Sequence, residues 1–139
     1  MRTWLTARYD ALPPALVEFL KFGTVGAIGF VFDTGTVYAL YGGLGLIGAG
    51  IAAYVVAATC TWLLNRLWTF RGRGGQSAGR QWALFLAANA VGFTLNRGTF
   101  ALAVTYLAVA ARYPVLAVAA GTAAGMGVNF FLSRRIVFR

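Results

Sequence analysis

Apolar residues gather into four long runs, at about Phe19 to Tyr41, Leu46 to Leu67, Trp82 to Ala111 and Tyr113 to Leu132. Each matches or exceeds the roughly 20 mostly apolar residues a helix needs to cross a bilayer. The pattern predicts an all-α integral membrane protein with four transmembrane helices. YGGLG, Tyr41 to Gly45, and ARYP around Arg112 read as tight connections, because glycine permits turn dihedrals and proline stops a helix. RGRGGQSAGRQ, Arg71 to Gln81, is the one soluble-looking interior segment and reads as a flexible linker.

Residues 1–18 precede the runs. Trp4, Leu5, Tyr9 and Leu12 alternate with Arg2 and Arg8 before Pro13 and Pro14, which suits a short interfacial helix and equally a disordered tail. The run that follows is about twice as long as a secretory h-region and shows no small-residue cleavage pattern, so this end is expected to stay.

The second and fourth runs end alike. NRLWTFR, Asn65 to Arg71, aligns with SRRIVFR, Ser133 to Arg139, so that Arg66 falls on Arg134, Phe70 on Phe138 and Arg71 on Arg139. The first and third runs also align, pairing Phe22 with Phe85, Ala27 with Ala90, Gly29 with Gly92, Phe30 with Phe93, Gly35 with Gly98 and Thr36 with Thr99, while Asp33 falls on Asn96. The transmembrane domain, 19–139, is therefore expected to be two two-helix repeats, 19–71 and 82–139. A unit of two spans returns to the side it left, so the repeats must be parallel, about an axis along the membrane normal.

Composition fixes the medium. With 60% hydrophobic residues, 11% charged and a mean hydropathy of +0.73, the chain is too apolar for an ordinary soluble domain. The net charge of +9 does not point to nucleic acid, because the arginines sit at the ends of apolar runs. Arg2, Arg8 and Lys21 flank the start, Arg66, Arg71, Arg73 and Arg80 the middle, and Arg134, Arg135 and Arg139 the end, leaving Arg112 alone in the other connections. By the positive-inside rule both termini and the linker are expected to face the cytoplasm.

Catalytic chemistry has few tools. There is no histidine and a single cysteine, Cys60, which excludes a Ser-His triad and most zinc sites. General acid-base work would rest on Asp33 almost alone, so no enzymatic activity, cofactor or metal site is expected.

The polar residues inside the runs lie on defined faces. Gly26, Gly29, Asp33 and Thr36 form one stripe at helical spacing, and Asn89, Gly92, Asn96 and Thr99 repeat it. Such stripes serve helix packing, since small residues let backbones approach and amides bond across an interface. Asp33 and Arg97 lie deep, about 17 Å beyond Phe22 and about 20 Å beyond Leu84 by helix rise. An ionised group there costs at least about 2.5 to 3.5 kcal/mol, so each is a candidate functional residue; snorkelling of Arg97, or protonation of Asp33 or its pairing with Arg97, are the structural alternatives. Thr61 and Asn65, matched by Asn129 and Ser133, share a face near the cytoplasmic end, with Arg66 and Arg134 one residue further on. Arginine beside amides can clamp a phosphate through directed donors. The same arginines serve as interface anchors beside the belt residue Trp68.

The aspartate in the first helix, the two-helix duplication, and NRLWTF with its weaker echo SRRIVF resemble the GtrA-like membrane proteins, over about Glu18 to Arg139. That resemblance implies a role with bacterial polyprenyl-phosphate-linked sugars in cell-surface polysaccharide glycosylation. The protein would either flip the lipid-linked monosaccharide or act as a scaffold for the glycosyltransferase that uses it. Under the flippase reading Arg66 and Arg134 capture phosphate and Arg97 receives the anion further out. Asn65, Asn96 and Asn129 supply hydrogen bonds, and Asp33 balances Arg97 or exchanges a proton. Membrane lipids, a glycosyltransferase and a second copy of the chain are the other partners considered; nucleic acid is not one. A small proton-coupled exporter of cations is the third reading, disfavoured because Arg97 would repel the cargo.

Orientation is directly testable. In a Cys60→Ala background, a cysteine at Ser77 is expected to be labelled from the cytoplasmic side. Labelling from the periplasmic side alone would reverse the topology.

Overall fold

The computed structural model describes residues 12–139, so most of the amino-terminal segment expected to lie at the interface falls outside the described residues. The chain divides into two compact units between Gly72 and Arg73. Each is a helical hairpin, and among the described residues there is no strand.

The first hairpin is built from α1, Pro14–Leu64, which runs 51 residues and is broken at Gly45 (φ 67, ψ 173). Without a Cβ, Gly45 takes a left-handed φ at little cost and reverses the chain. The turn is narrower than the expected YGGLG connection: Tyr41 to Leu44 stay helical, and the break is Gly45 itself. The helix also starts earlier than the apolar run, because Pro14 occupies its first turn, where the missing N–H is not needed. A π-helical turn, Asn65–Thr69, closes the hairpin.

The second hairpin comprises α2, Ala78–Tyr106, a short α3, Ala108–Arg112, α4, Pro114–Leu132, and a second π-turn, Ser133–Val137. The third run was expected to continue to Ala111. Instead it stops at Tyr106, and Leu107 is extended (φ −112, ψ 108) before α3. Ala103, Ala110 and Ala117 meet there with Phe100 and Val104 packed around them, so small side chains let the chain fold back in two steps. The linker is likewise shorter than expected. Ala78 to Gln81 already belong to α2, and Gln81 is fully buried. Gln76 is held too, its Nε2 donating to the Ile136 carbonyl at 3.1 Å. Gly74, at φ 120, lies so close to Gln81 that an added Cβ would sit 2.7 Å from its Nε2.

Two long helical segments, Pro14–Thr69 and Pro114–Val137, reach mean hydropathies of 1.8 and 1.7 and are long and apolar enough to cross a membrane. α2, at 29 residues, has the length, and its polarity comes from Arg80, Gln81, Asn89, Asn96 and Arg97.

The hairpins hold together where the repeat aligns. In the first, Gly29 of the outgoing limb lies against the Thr61 side chain, and Phe22 meets Phe70 with ring centroids 6.3 Å apart. In the second, the matched Gly92 lies against Asn129, and the matched Phe85 meets Phe138 at 5.9 Å. These tilted and edge-on ring pairs lie in the favourable separation range. α4 approaches α2 closely at Gly121 and at Gly125, where an added Cβ would stand 2.6 Å from the Gly92 carbonyl oxygen and 2.9 Å from the Asn96 Cβ.

The close approach makes a contrast within one helix. Gly125→Ala is expected to lower the thermal midpoint in detergent, because the methyl meets backbone; a cost of about 1–3 kcal/mol is usual for overpacking. Gly127, where an added methyl would have nothing within 4 Å, is the control. Gly127→Ala should be neutral or stabilising by up to about 1 kcal/mol. Equal midpoints for the two variants would refute the glycine contact as the determinant of hairpin packing.

Candidate functional site

The two π-turns place the candidate residues at the hairpin ends. In each, one extra residue enters the helical ladder, so the N–H of Phe70 reaches the Asn65 carbonyl and the N–H of Phe138 reaches the Ser133 carbonyl, both at 2.8 Å. The widened turn directs Phe70 and Phe138, 1% and 0% exposed, back onto Phe22 and Phe85. Asn65 and Ser133 are each 1% exposed behind them. The Asn65 Oδ1, Thr69 Oγ1 and Ser133 Oγ atoms have no hydrogen-bond partner among the described residues. π-turns inside α-helices occur often at functional sites.

Of the arginines in the same turns, Arg66 and Arg134 are half-buried and Arg135 is exposed. Arg66 is half-buried, with its guanidinium 5.8 Å from the Trp62 ring centre. Arg134 is half-buried at the matched position, and its neighbour Arg135 lies 5.9 Å from the Phe131 ring centre. Lys21 covers Trp68 at 5.6 Å, so the tryptophan expected in the aromatic belt also holds a cation. Trp62 and Phe131 were not singled out in the sequence, although Trp62 stands four residues before Arg66, the spacing of helical neighbours.

The amides go inward. Asn129 donates from Nδ2 to the Asn89 Oδ1 at 3.2 Å, and Asn89 donates in turn to the Phe85 carbonyl at 2.9 Å. The Asn129 Oδ1 is buried without a partner among the described residues. Asn96 is half-buried against Gly121 and Gly125 of α4. Thr61, the counterpart of Asn129, spends its hydroxyl on the Ala57 and Ala58 carbonyls at 2.9 and 3.1 Å and turns its methyl to Gly29. Asn65, Asn96 and Asn129 thus line hairpin interiors, and in this conformation their contacts are structural.

Arg97 follows Asn96 on α2 but is exposed, with its guanidinium 5.5 Å from the Phe93 ring centre. One residue along a helix turns the side chain by about 100°, so packing at Asn96 leaves Arg97 outside. Asp33, the residue aligned with Asn96, is half-buried and makes no hydrogen bond or ion pair among the described residues of its own hairpin. It lines an open pocket of about 370 Å³ with Thr34, Val37, Tyr38, Tyr41 and Leu46. Asp33, Asn65 and Arg66 therefore belong to the first hairpin, and Asn96, Arg97, Asn129 and Arg134 to the second.

Among the described residues no group of three or more His, Cys, Asp or Glu side chains could hold a metal ion. The arrangement offers half-buried arginines at matched hairpin ends, an exposed arginine within α2, and a carboxylate in an open pocket. That combination suits binding of an anion and a polar head group at the edge of apolar helices.

No curated protein matches the chain. A protein-family model does, described as GtrA/DPMS, transmembrane domain, and its match extends over residues 21–138. Both π-turns and all of both hairpins except the first two turns of α1 lie inside that span, and the chain belongs to the GtrA/DPMS transmembrane domain family.

Proposed function

We propose that the protein flips a polyprenyl-phosphate-linked monosaccharide across the bacterial inner membrane through four spans, with both termini and the Arg71 to Gln81 linker cytoplasmic. The observation that carries this reading is the duplication of a half-buried arginine, Arg66 and Arg134, in equivalent π-turns at the ends of apolar helices. Family membership supports it.

The physical task is narrow. The isoprenoid tail is at home in hydrocarbon, whereas the phosphate and sugar lose their hydration there at great cost. A protein need only offer the head group a sequence of polar partners. Arg66 and Arg134 supply planar guanidinium forks for the phosphate at the cytoplasmic end. Arg97, about 18 Å further along α2 than Phe85 by helix rise, supplies the next cation. Covalent chemistry forms no part of this reading, and nothing in it requires a metal or cofactor.

Purified protein in liposomes with a defined lipid-phosphate sugar tests it. Wild type should transport the lipid. Arg97→Lys should express and insert normally yet flip about tenfold more slowly, since lysine keeps the charge and lacks the bidentate fork. Arg97→Gln should lose most activity. Full transport by a well-expressed Arg97→Gln protein would make Arg97 an anchor stacked on Phe93 and leave Arg66 and Arg134 as the phosphate contacts. If wild type does not transport but still binds a glycosyltransferase, the scaffold reading replaces this one.

A further inference from the structure

The two hairpins differ most where they align at mid-helix. Four residues beyond Gly29 comes the pair Asp33 and Thr34, and four residues beyond Gly92 comes Asn96 and Arg97. Because Gly29 and Gly92 each mark the contact with the returning limb, the pairs stand at matched heights within their own hairpins. One position offers a cation and the other a carboxylate beside a hydroxyl.

The surroundings differ in the same sense. The open pocket at Asp33 carries four polar side chains, from Asp33, Thr34, Tyr38 and Tyr41. Thr24, Thr36, Thr59 and Thr61 in the same hairpin return their hydroxyls to carbonyls of their own helix. Thr34 makes no such bond among the described residues, so its hydroxyl is available. The Tyr38 and Tyr41 rings are 74% and 56% exposed. The second hairpin has an open pocket of equal size, about 370 Å³, lined by Ala90, Val91, Thr94 and Leu95. Its one hydroxyl, on Thr94, is spent on the Ala90 carbonyl at 2.9 Å.

An aromatic belt accounts for tyrosines near a helix end but not for a carboxylate among them. No arginine or lysine lines the pocket, so an anion is disfavoured there. A carboxylate accepts hydrogen bonds from vicinal hydroxyls, tyrosine and threonine hydroxyls both donate and accept, and aromatic faces cover the C–H faces of a sugar ring.

We propose that the Asp33, Thr34, Tyr38 and Tyr41 pocket binds the neutral, polyhydroxylated sugar ring of the transported lipid. This rests on the flippase reading. Asp33 is then a sugar-binding residue and neither a counter-ion for Arg97 nor a proton carrier.

The test uses full-length protein in the transport liposomes and a lipid-phosphate sugar carrying a photoreactive diazirine on the sugar ring, with adducts mapped by mass spectrometry. Adducts are expected on the Asp33 to Tyr41 segment, with yield falling about tenfold in Asp33→Asn and in Tyr38→Ala, the loss associated with one charge-assisted hydrogen bond or ring contact. Tetramethylammonium should not displace the probe. Wild-type transport with adducts only elsewhere, or with yields unchanged in both variants, would overturn the sugar pocket and leave the flippase reading standing. Displacement by tetramethylammonium would make the pocket a cation site and overturn the proposal. Variant-sensitive adducts without transport would uphold the pocket and sink the flippase. Neither adducts nor transport would sink both.

Discussion

In each hairpin a glycine on one limb, Gly29 or Gly92, receives a side chain from the returning limb, Thr61 or Asn129. Lipid tails are as apolar as leucine, so helices in a bilayer gain little from burying hydrophobic surface against one another. They associate through close backbone approach and the dispersion and polar contacts it permits. A methyl at either glycine would collide with the opposing side chain, and one at Gly125 would meet the Gly92 carbonyl. The ring pairs Phe22–Phe70 and Phe85–Phe138 and the inward course of both π-turns require the limbs to lie at this separation.

The same constraint sorts the polar side chains. Short amides fit between closely spaced helices and find partners there, as the chain from Asn129 through Asn89 to the Phe85 carbonyl shows. Guanidinium groups do not fit. Arg66, Arg97 and Arg135 instead lie beside aromatic rings four residues earlier on their own helices, which shields part of a cation. The Asn89–Asn129 amide pair is consequently internal, whereas the guanidinium groups of Arg97 and Arg135 are exposed.

Duplication did not preserve every role. The glycine contact, the ring pair and the π-turn recur in both halves, because each hairpin must close on itself. Asp33 with Thr34 and Asn96 with Arg97 do not match in chemistry although they match in position. The glycines and the ring pairs stay alike, whereas the polar residues around them, Thr61 and Asn129 as well as Asp33 and Asn96, differ.

The sequence by itself determined the medium, the helical class, the duplication and the pairs Phe22/Phe85, Gly29/Gly92 and Phe70/Phe138. These follow from hydropathy over long windows and from alignment of one half with the other, neither of which needs three-dimensional information. It also located the turn at Gly45 to within a few residues, since only glycine takes that φ cheaply. It overextended the third helix past Tyr106 and left Gln81 in a linker. Helix ends depend on what the last turn packs against, although the spacing of Gln81 with Phe85, Ala88 and Gly92 carried a readable trace of a buried face. Only the tertiary structure showed that Asn65 is buried and that Asn96 and Asn129 meet the facing limb of their hairpin, whereas Arg97 is exposed. Residue type and depth are the same for a packing amide and a binding amide; the difference is whether another limb of the chain already occupies the space in front of it.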